Sequence, residues 1–424
     1  MQNTMHCVEV AKRFASEPGL GRLGKMGGFF CLGLVLAAWG GLTTAQAQNT
    51  HYTVQDLGVV GANFFQPGQP FVISNNGWVA GDAGVGAAVL AVLWRDGKMT
   101  DIGDPGLGGN SIAYGVNQWG IAVGEAEDTS TDRFTSEDFC GFQLMGYSSS
   151  PTPCVPFIWR EGEMVRLKTL GGANGVANQI NRWGTIAGYA ENTTKDPACP
   201  PPQEYEFKPV VWFGDDILPL PTAGTDPEGL ASSINDLGQV VGASGTCTVF
   251  NINSLYNLQP VHALLWQNGR AIDLGNLGGA LNNVANDINN RGVVVGGSDL
   301  TGDLTSHAFF WAPESRKMTD MGTLDGDYWS IGIGINDEGE LVGASANADF
   351  TAVRAFVRQR GKLVDLNSLV VGDNPFPQGK LVTGGLVTSG LETACKINSK
   401  GEIVGIAVDP TGAEHSYMAI PVAD

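Results

Sequence analysis

Seven times along the chain an aliphatic residue is followed by Asn, two variable residues and Gly, and then by a run of apolar residues. The copies start at Ile73, Val116, Ile180, Ile234, Ile288, Ile335 and Ile397, and the first has Ser74 where the others have Asn. Asn accepts backbone N–H groups inside such a turn and Gly takes the positive-φ position, so each copy predicts a tight turn between two strands. A second pattern, an apolar run that usually ends in Trp, also occurs seven times, at 90–94, 155–159, 208–212, 262–266, 307–311, 354–358 and 415–419. The stretch 261–298 holds four apolar runs. They are separated by Asn268-Gly269, a pair suited to a two-residue hairpin, by the loop 275–279 and by the turn 289–292. It reads as one four-stranded antiparallel meander. A meander of that size has two open edges and a face it cannot bury alone, so it needs copies of itself.

The two series are offset, and the offset constrains the architecture. Past the first fifty residues the chain opens mid-unit with 52–58, a second-strand copy, and it closes with 415–421, a first-strand copy. The two ends complete one unit between them. A closed ring uses that arrangement to remove its edges, whereas an open solenoid has no use for it. The expected fold is therefore all-β: a seven-bladed β-propeller of four-stranded antiparallel blades, closed by N- and C-terminal strands sharing one blade. A parallel β-helix would want shorter, more uniform turns and capped ends.

His307-Ala308-Phe309-Phe310-Trp311, the run Met318 to Gly322 and residues 335–343 resemble the bacterial extracellular HAF-type repeat. Residues 365–369 and 415–421 are similar to the terminal unit of that family, and the resemblance covers nearly all of 52–422. It implies export and a repeat β fold, and it assigns no reaction. Departures are Pro156 and Pro209 at the Ala position, Arg358 in place of Trp, and Ser74 in place of Asn. A proline cannot donate to a ladder, so its strand is expected near a blade edge.

Lys12, Arg13, Arg22 and Lys25 precede an apolar run at 26–42, and Ala45-Gln46-Ala47 supplies a small-x-small cleavage pattern. Residues 1–47 thus read as a secretory signal peptide and 48–424 as one propeller domain. An uncleaved anchor is the alternative, because the run approaches the roughly 20 residues a bilayer needs; the Gly-rich run and the cleavage pattern favour removal, with no membrane span in the mature chain. The whole chain carries a net charge of −19, and loss of four basic and two acidic leader residues leaves 20 basic and 41 acidic, a net −21. Such a surface repels phosphate backbones, so nucleic acid and anionic membranes are poor partners and a monomer is expected. Export to the periplasm or exterior permits disulfides. Cys140 with Cys154 would staple one long loop, Cys199 with Cys247 would tie two loops, and Cys395 remains as an expected buried free thiol. No Cys-x-x-Cys or His-x-x-x-His spacing occurs, so neither a metal site nor a cofactor is expected.

The recurring Trp94, Trp159, Trp212, Trp266 and Trp311 are expected in the core between blades. His262, His307 and His415, at one repeat position, are expected in separate blades, each in a structural hydrogen bond. Tight turns should share one face of the ring and the long inserts the other, and long loops on a regular scaffold are where function usually sits. The inserts at 125–153, 189–207 and 243–260 carry Phe134, Phe139, Phe142, Tyr147, Tyr205, Phe250 and Tyr256 among amides and carboxylates, a combination suited to a carbohydrate or an extracellular protein. Catalytic material is limited to carboxylates: Glu127, Asp128, Asp132, Glu137, Asp138, Glu191, Asp196, Asp226, Glu228, Asp325 and Asp327. A pair of them at the right separation could cleave glycosides. No nucleophile elbow, phosphate loop, zincin helix or Cys-His pairing is present. The first expectation is a non-enzymatic binding scaffold; a carboxylate-based glycoside hydrolase or lyase and a purely structural extracellular protein are the alternatives.

Overall fold

The structure, a computed structural model, describes residues 49–58, 70–85, 88–103, 109–128, 152–199, 203–247, 258–378 and 389–422. It is a seven-bladed propeller of four-stranded antiparallel sheets with a single short 3-10 helix, Leu366–Leu369, among the described residues. The third blade shows the pattern. Gly175–Ile180 lies innermost, then Ile186–Lys195, Tyr205–Phe213 and, outermost, the four-residue Asp216–Pro219. Six blades run from inside to outside in chain order, and the seventh is Gly390–Ile397, Ile403–Val408, Glu414–Pro421 and, as its outer strand, Tyr52–Gly58. The closure pairs Tyr52 with Pro421 and Asp56 with Tyr417, so the two ends share a blade as the offset implied.

The blade boundaries fall elsewhere than the 261–298 unit suggests. Leu258–Gln267 and Arg270–Asp273 are the outer strands of the fourth blade, and Gly278–Ile288 and Val294–Leu300 are the inner strands of the fifth. Periodicity in sequence fixes the repeat length but not its phase. Here the loop at 274–277 carries the chain from the rim of one sheet to the axis of the next, with no ladder between its flanking strands.

Apolar side chains fill the seams between neighbouring blades. Val123 from the second blade packs with Ala177, Ile186 and Trp212 of the third, and Val241 from the fourth with Ala285, Phe309 and Trp311 of the fifth. Trp94, Trp212, Trp266 and Trp311 are buried and Trp159 half-buried, as expected of seam residues. The indole N–H of Trp212 donates to Lys168 O at 2.7 Å and that of Trp266 to Pro221 O at 2.6 Å, each in the connection that enters its blade. Pro156 and Pro209 sit in the third strand, next to the edge. Their carbonyls accept from Leu167 N and Leu220 N, where the short outer strand ends, so each missing N–H faces the point at which the ladder stops.

Candidate functional site

The Asn-x-x-Gly turns converge around the axis, and their side chains join the blades head to tail. The Oδ1 of Asn181 accepts Trp183 N and Thr185 N at 3.0 Å, which closes its own turn. Its Nδ2 is then free to donate outward, and it reaches Asn235 O of the next blade at 3.1 Å. Asn235 continues to Asn289 O, Asn289 to Asn336 O, Asn336 to Asn398 O and Asn398 to Ser74 O, at 2.9–3.2 Å. Asn117 to Asn181 O is the longest link, at 3.4 Å. Ser74 is too short to continue the circle; there Asn76 Nδ2 bonds to Gln118 O at 3.0 Å instead. The Asn is thus both the cap of its turn and the tie to the next blade, the second role invisible in one repeat.

The residue after each Asn forms the rim of the axial opening. Backbone N–H groups of Arg182, Asp236 and Asn290 donate to Asp236, Asn290 and Asp337 side chains in the next blade at 2.8–3.0 Å, and Ser399 N to Asn75 Oδ1 at 2.9 Å. Asn290 Nδ2 lies 3.4 Å from Asp236 Oδ2 and 3.0 Å from Asp337 Oδ2. Both carboxylates are therefore within 3.4 Å of one amide nitrogen and less than twice that distance apart. The rim opens into a cavity of about 150 Å³ lined by all seven blades.

Below the rim each inner strand carries a bulge that re-aims the next side chain toward the axis. Those side chains include Gln179, Ser233, Asp287 and Lys396. Lys396 Nζ from the seventh blade meets Asp287 Oδ1 of the fifth at 2.5 Å, passing the sixth blade where the equivalent residue is Gly334. A Cβ at Gly334 would lie 3.0 Å from Lys396 Cα, so the glycine makes the crossing possible. Asp287 also accepts Ser233 Oγ–H at 2.7 Å and Ile335 N–H at 2.9 Å, which leaves the buried carboxylate with several charge-compensating partners.

Two tryptophans lie in turns of this rim. Trp119 is 67% and Trp183 69% exposed, with Leu237 at 69% in the same position of the next blade. Trp119 Nε1 donates to Arg182 O at 3.2 Å and Trp183 Nε1 to Asp236 O at 2.9 Å, so both rings are held by their edges. Asn76 makes the same bond in the first blade with a small polar group. The large apolar area of the two indoles is therefore not needed for the tie. The Arg182 guanidinium stacks 4.4 Å from the Trp183 ring centre.

The residues singled out on the opposite face fare differently. Phe134, Phe139, Phe142, Tyr147, Phe250 and Tyr256 lie outside the described residues, as do Asp132, Glu137, Asp138 and Cys140. Tyr205 is half-buried at the start of its strand under the Lys195 ammonium, 5.2 Å from the ring centre. Cys199 and Cys247 form the expected disulfide. Cys154 and Cys395 are also disulfide-bonded, to partners outside the described residues, so Cys395 is buried as expected but is not a free thiol.

Most of the candidate carboxylates that are described hold loops, and Asp196 and Glu228 come together with carboxylate oxygens within 4.8 Å of each other. Glu127 accepts Asn110 N and Nδ2, Glu191 accepts Ala173 N and Asn174 N, Asp128 pairs with Arg166, and Asp226 with His262 at 2.8 Å. Asp327 and the Asp325 carbonyl are both taken by Arg354. His307 and His415 pair with Asp320 and Asp56, so each repeat histidine does make a local structural bond. Asp196 and Glu228 lie beside Cys199 and Cys247, but the two sulfurs are bonded to each other, which withdraws the thiolates a metal would use. Burial pushes the carboxyls of Glu125 and Asp299 up to about 7 and that of Glu228 to about 8.

The architecture places the chain in the class of seven-bladed propellers with a closed N-plus-C-terminal blade and an axial opening rimmed by tight turns. No protein-family model matches it, and no curated protein matches it by sequence. Among solved structures it is similar to an acylaminoacyl peptidase of Pyrococcus horikoshii at 9% identity and TM-score 0.39, over 89% of this chain and 52% of that one. This chain thus spans about half of that peptidase. The β-propeller domain of the Trilobed protease from Pyrococcus furiosus aligns at 7% identity and TM-score 0.43, over 88% and 96% of the two chains. An oligogalacturonate lyase in complex with manganese aligns at 12% identity and TM-score 0.33, over 81% and 74%.

The rim residues carry no repeat signal, because the positions they occupy differ from copy to copy. Within the seven turns the Asn and Gly are kept by the fold, while the two positions between them are free to differ. That internal variability, with Trp in two adjacent copies and Asp in two others, is the signal that could have found them.

Proposed function

We propose that the protein is an exported binding scaffold that holds a carbohydrate on the turn face, around the axial opening. The observation that carries this reading is the pair Trp119 and Trp183: two largely exposed rings fixed by edge hydrogen bonds, one face of Trp183 taken by the Arg182 guanidinium, beside a rim of amide and charged groups. Rigid aromatic faces stack on the C–H side of a sugar ring, and planar polar groups take its hydroxyls. The leader at 1–47 and the HAF-type resemblance support export, and a disulfide is compatible with that destination. Among the described residues no helix is long and apolar enough to cross a membrane.

The test is glycan-array and calorimetric binding by residues 48–424, beside Trp119→Ala/Trp183→Ala. At about 1 kcal/mol per stacked ring, the double variant should bind at least 10-fold more weakly. A folded wild-type protein that binds no glycan, or binding indifferent to both tryptophans, refutes the reading.

A second reading, glycoside cleavage, is favoured by one observation. Asp236 and Asp337 flank a single amide at a separation compatible with an acid pair acting on a glycosidic bond. Release of reducing ends from a bound glycan, abolished by Asp236→Asn and by Asp337→Asn, would establish it; binding without turnover would leave the scaffold reading alone.

A further inference from the structure

We propose that the Cys199–Cys247 cross-link is one of two states of a single site, and that the reduced form binds one zinc ion through Cys199, Cys247, Asp196 and Glu228. Two local devices bring the four residues together. Asp196-Pro197-Ala198-Cys199 is a tight turn in which Cys199 N donates to Asp196 O at 3.1 Å and Ala198 N to Asp196 Oδ1 at 2.8 Å. It follows the second strand of the third blade and sets two ligand types three positions apart, the spacing of a Cys-x-x-Cys zinc knuckle. Glu228 opens the inner strand of the fourth blade, paired with Gly245 of the strand beside it. Cys247 ends that neighbouring strand two positions on, so it projects from the same face as Glu228. The disulfide joins the two devices, and one ligand atom from each of the four residues lies within 4.8 Å of the others.

The carboxylates are what point to a cation. Glu228 is 1% exposed; its Oε2 accepts Phe207 N at 2.8 Å, while its Oε1 faces Cys199 Sγ at 3.6 Å. A disulfide sulfur has no proton to donate, so Oε1 is buried with no donor opposite it among the described residues. Asp196 repeats the pattern: Oδ1 is taken by its own turn, and Oδ2 is buried without a partner. Lys208, whose charge reaches Glu228, pairs with Glu206 at 2.9 Å. Buried oxygens left without donors are costly, and a metal ion between them removes the cost. Reduction completes the ligand set. A dithiol takes over the disulfide, becoming a cyclic disulfide itself and leaving two protein thiols, which lose their two protons as zinc binds. In a tetrahedron with Zn–S of about 2.3 Å and Zn–O of about 2.1 Å, ligand atoms stand roughly 3.4–3.8 Å apart, so atoms already within 4.8 Å need shifts of only about 1 Å. Two thiolates and two carboxylates carry the charge of four thiolates, a set that structural zinc sites use, and the thiolates select zinc over calcium or magnesium. The same loops are joined in both states, so the third and fourth blades stay tied on either side of the redox change.

The experiment uses residues 48–424, either oxidised or reduced with a phosphine, which is converted to its oxide and leaves zinc free. Zinc affinity is read by competition with a chromogenic chelator. With Co²⁺ in place of Zn²⁺, absorption reports the geometry and, through charge-transfer intensity, the number of thiolates. Reduced protein should bind one zinc per chain, and oxidised protein should bind it at least 100-fold more weakly. Asp196→Asn/Glu228→Gln should weaken zinc binding by the reduced form at least 100-fold, and Cys199→Ser/Cys247→Ser should lose the ion that Cys154→Ser/Cys395→Ser keeps. No zinc bound by the reduced protein, equal binding by the two redox forms, or an affinity unchanged in Asp196→Asn/Glu228→Gln overturns the proposal. The cobalt spectrum of the reduced wild-type chain stays decisive should a variant fail to fold: a tetrahedral spectrum with two thiolates supports the site, and an octahedral or thiolate-free one overturns it.

Discussion

Replacing Glu125 by Gln tests the electrostatics of the propeller interior. Glu125 lies in the second strand of the second blade, fully buried, with Oε1 accepting the Tyr114 hydroxyl at 2.7 Å and Oε2 without a hydrogen-bond partner among the described residues. Burial is the largest cause of its pKa rising from 4.5 to about 7; the Tyr114 hydrogen bond opposes the rise and the Glu127 charge adds to it. Because the folded-state pKa lies above the unfolded one, the native protein binds the proton more tightly. Its stability is unpenalised below about pH 4.5, falls as pH rises through 7, and is flat above. At about 1.4 kcal/mol per pH unit, the ionised form costs about 3 kcal/mol at pH 8.

Gln keeps the acceptor for Tyr114 and cannot ionise. The stability difference between Glu125→Gln and wild type should therefore increase by about 3 kcal/mol from pH 4.5 to pH 8. With unfolding entropy of about 2 cal/mol/K per residue, a propeller of this length shows that as a relative gain of about 4 °C in Tm. The extra amide donor of Gln adds a fixed penalty of about 1–3 kcal/mol that offsets the whole curve without changing its slope. Calorimetry of both proteins at five pH values across this range gives the difference directly. A difference that does not vary with pH would mean that Glu125 is solvated or paired in solution, and the burial argument would fail.

The other predictions concern the ties between blades. Ser74→Asn completes the circle of Asn links by offering Nδ2 to Asn117 O, and should raise stability by about 1 kcal/mol in guanidinium unfolding; a loss would show that the first turn cannot admit the longer side chain. Lys396→Met leaves Asp287 buried without its cation and should cost about 3–5 kcal/mol, much of it recovered in Lys396→Met/Asp287→Asn; equal effects for single and double variants would deny the pairing. Cys199→Ala/Cys247→Ala opens a cross-link spanning 48 residues and should lower stability by up to about 4 kcal/mol; an unchanged unfolding midpoint would show that the loops it joins do not limit unfolding.

Ring closure could be read from the sequence because it depends on counting: seven turn copies, seven Trp-type copies and an offset that only a shared blade resolves. The seam tryptophans were legible for the same reason, since a residue that recurs at one repeat position answers to an environment that recurs with it. That each repeat histidine is bonded was legible too, but not its partner, an outer-strand Asp for His307 and His415 and the blade-entry Asp226 for His262. Blade phase was not legible. The connection at 274–277 looks the same whether it joins two strands of one sheet or two sheets, and only ladder pairing separates the cases.

The site was hidden by the converse effect. A propeller places equivalent positions on a circle, so a side chain at one turn faces the axis together with six others that are distant in sequence. Asp236 and Asp337 stand 101 positions apart yet share one amide of Asn290, and Lys396 meets Asp287 only because Gly334 vacates the place between them. In a ring of repeats the chemistry that distinguishes one protein from another has to sit where the copies differ. The two open positions of the Asn-x-x-Gly turn are such a place on the rim of the axis, which is why the proposed site rests on Trp119 and Trp183 and not on the tryptophans that repeat.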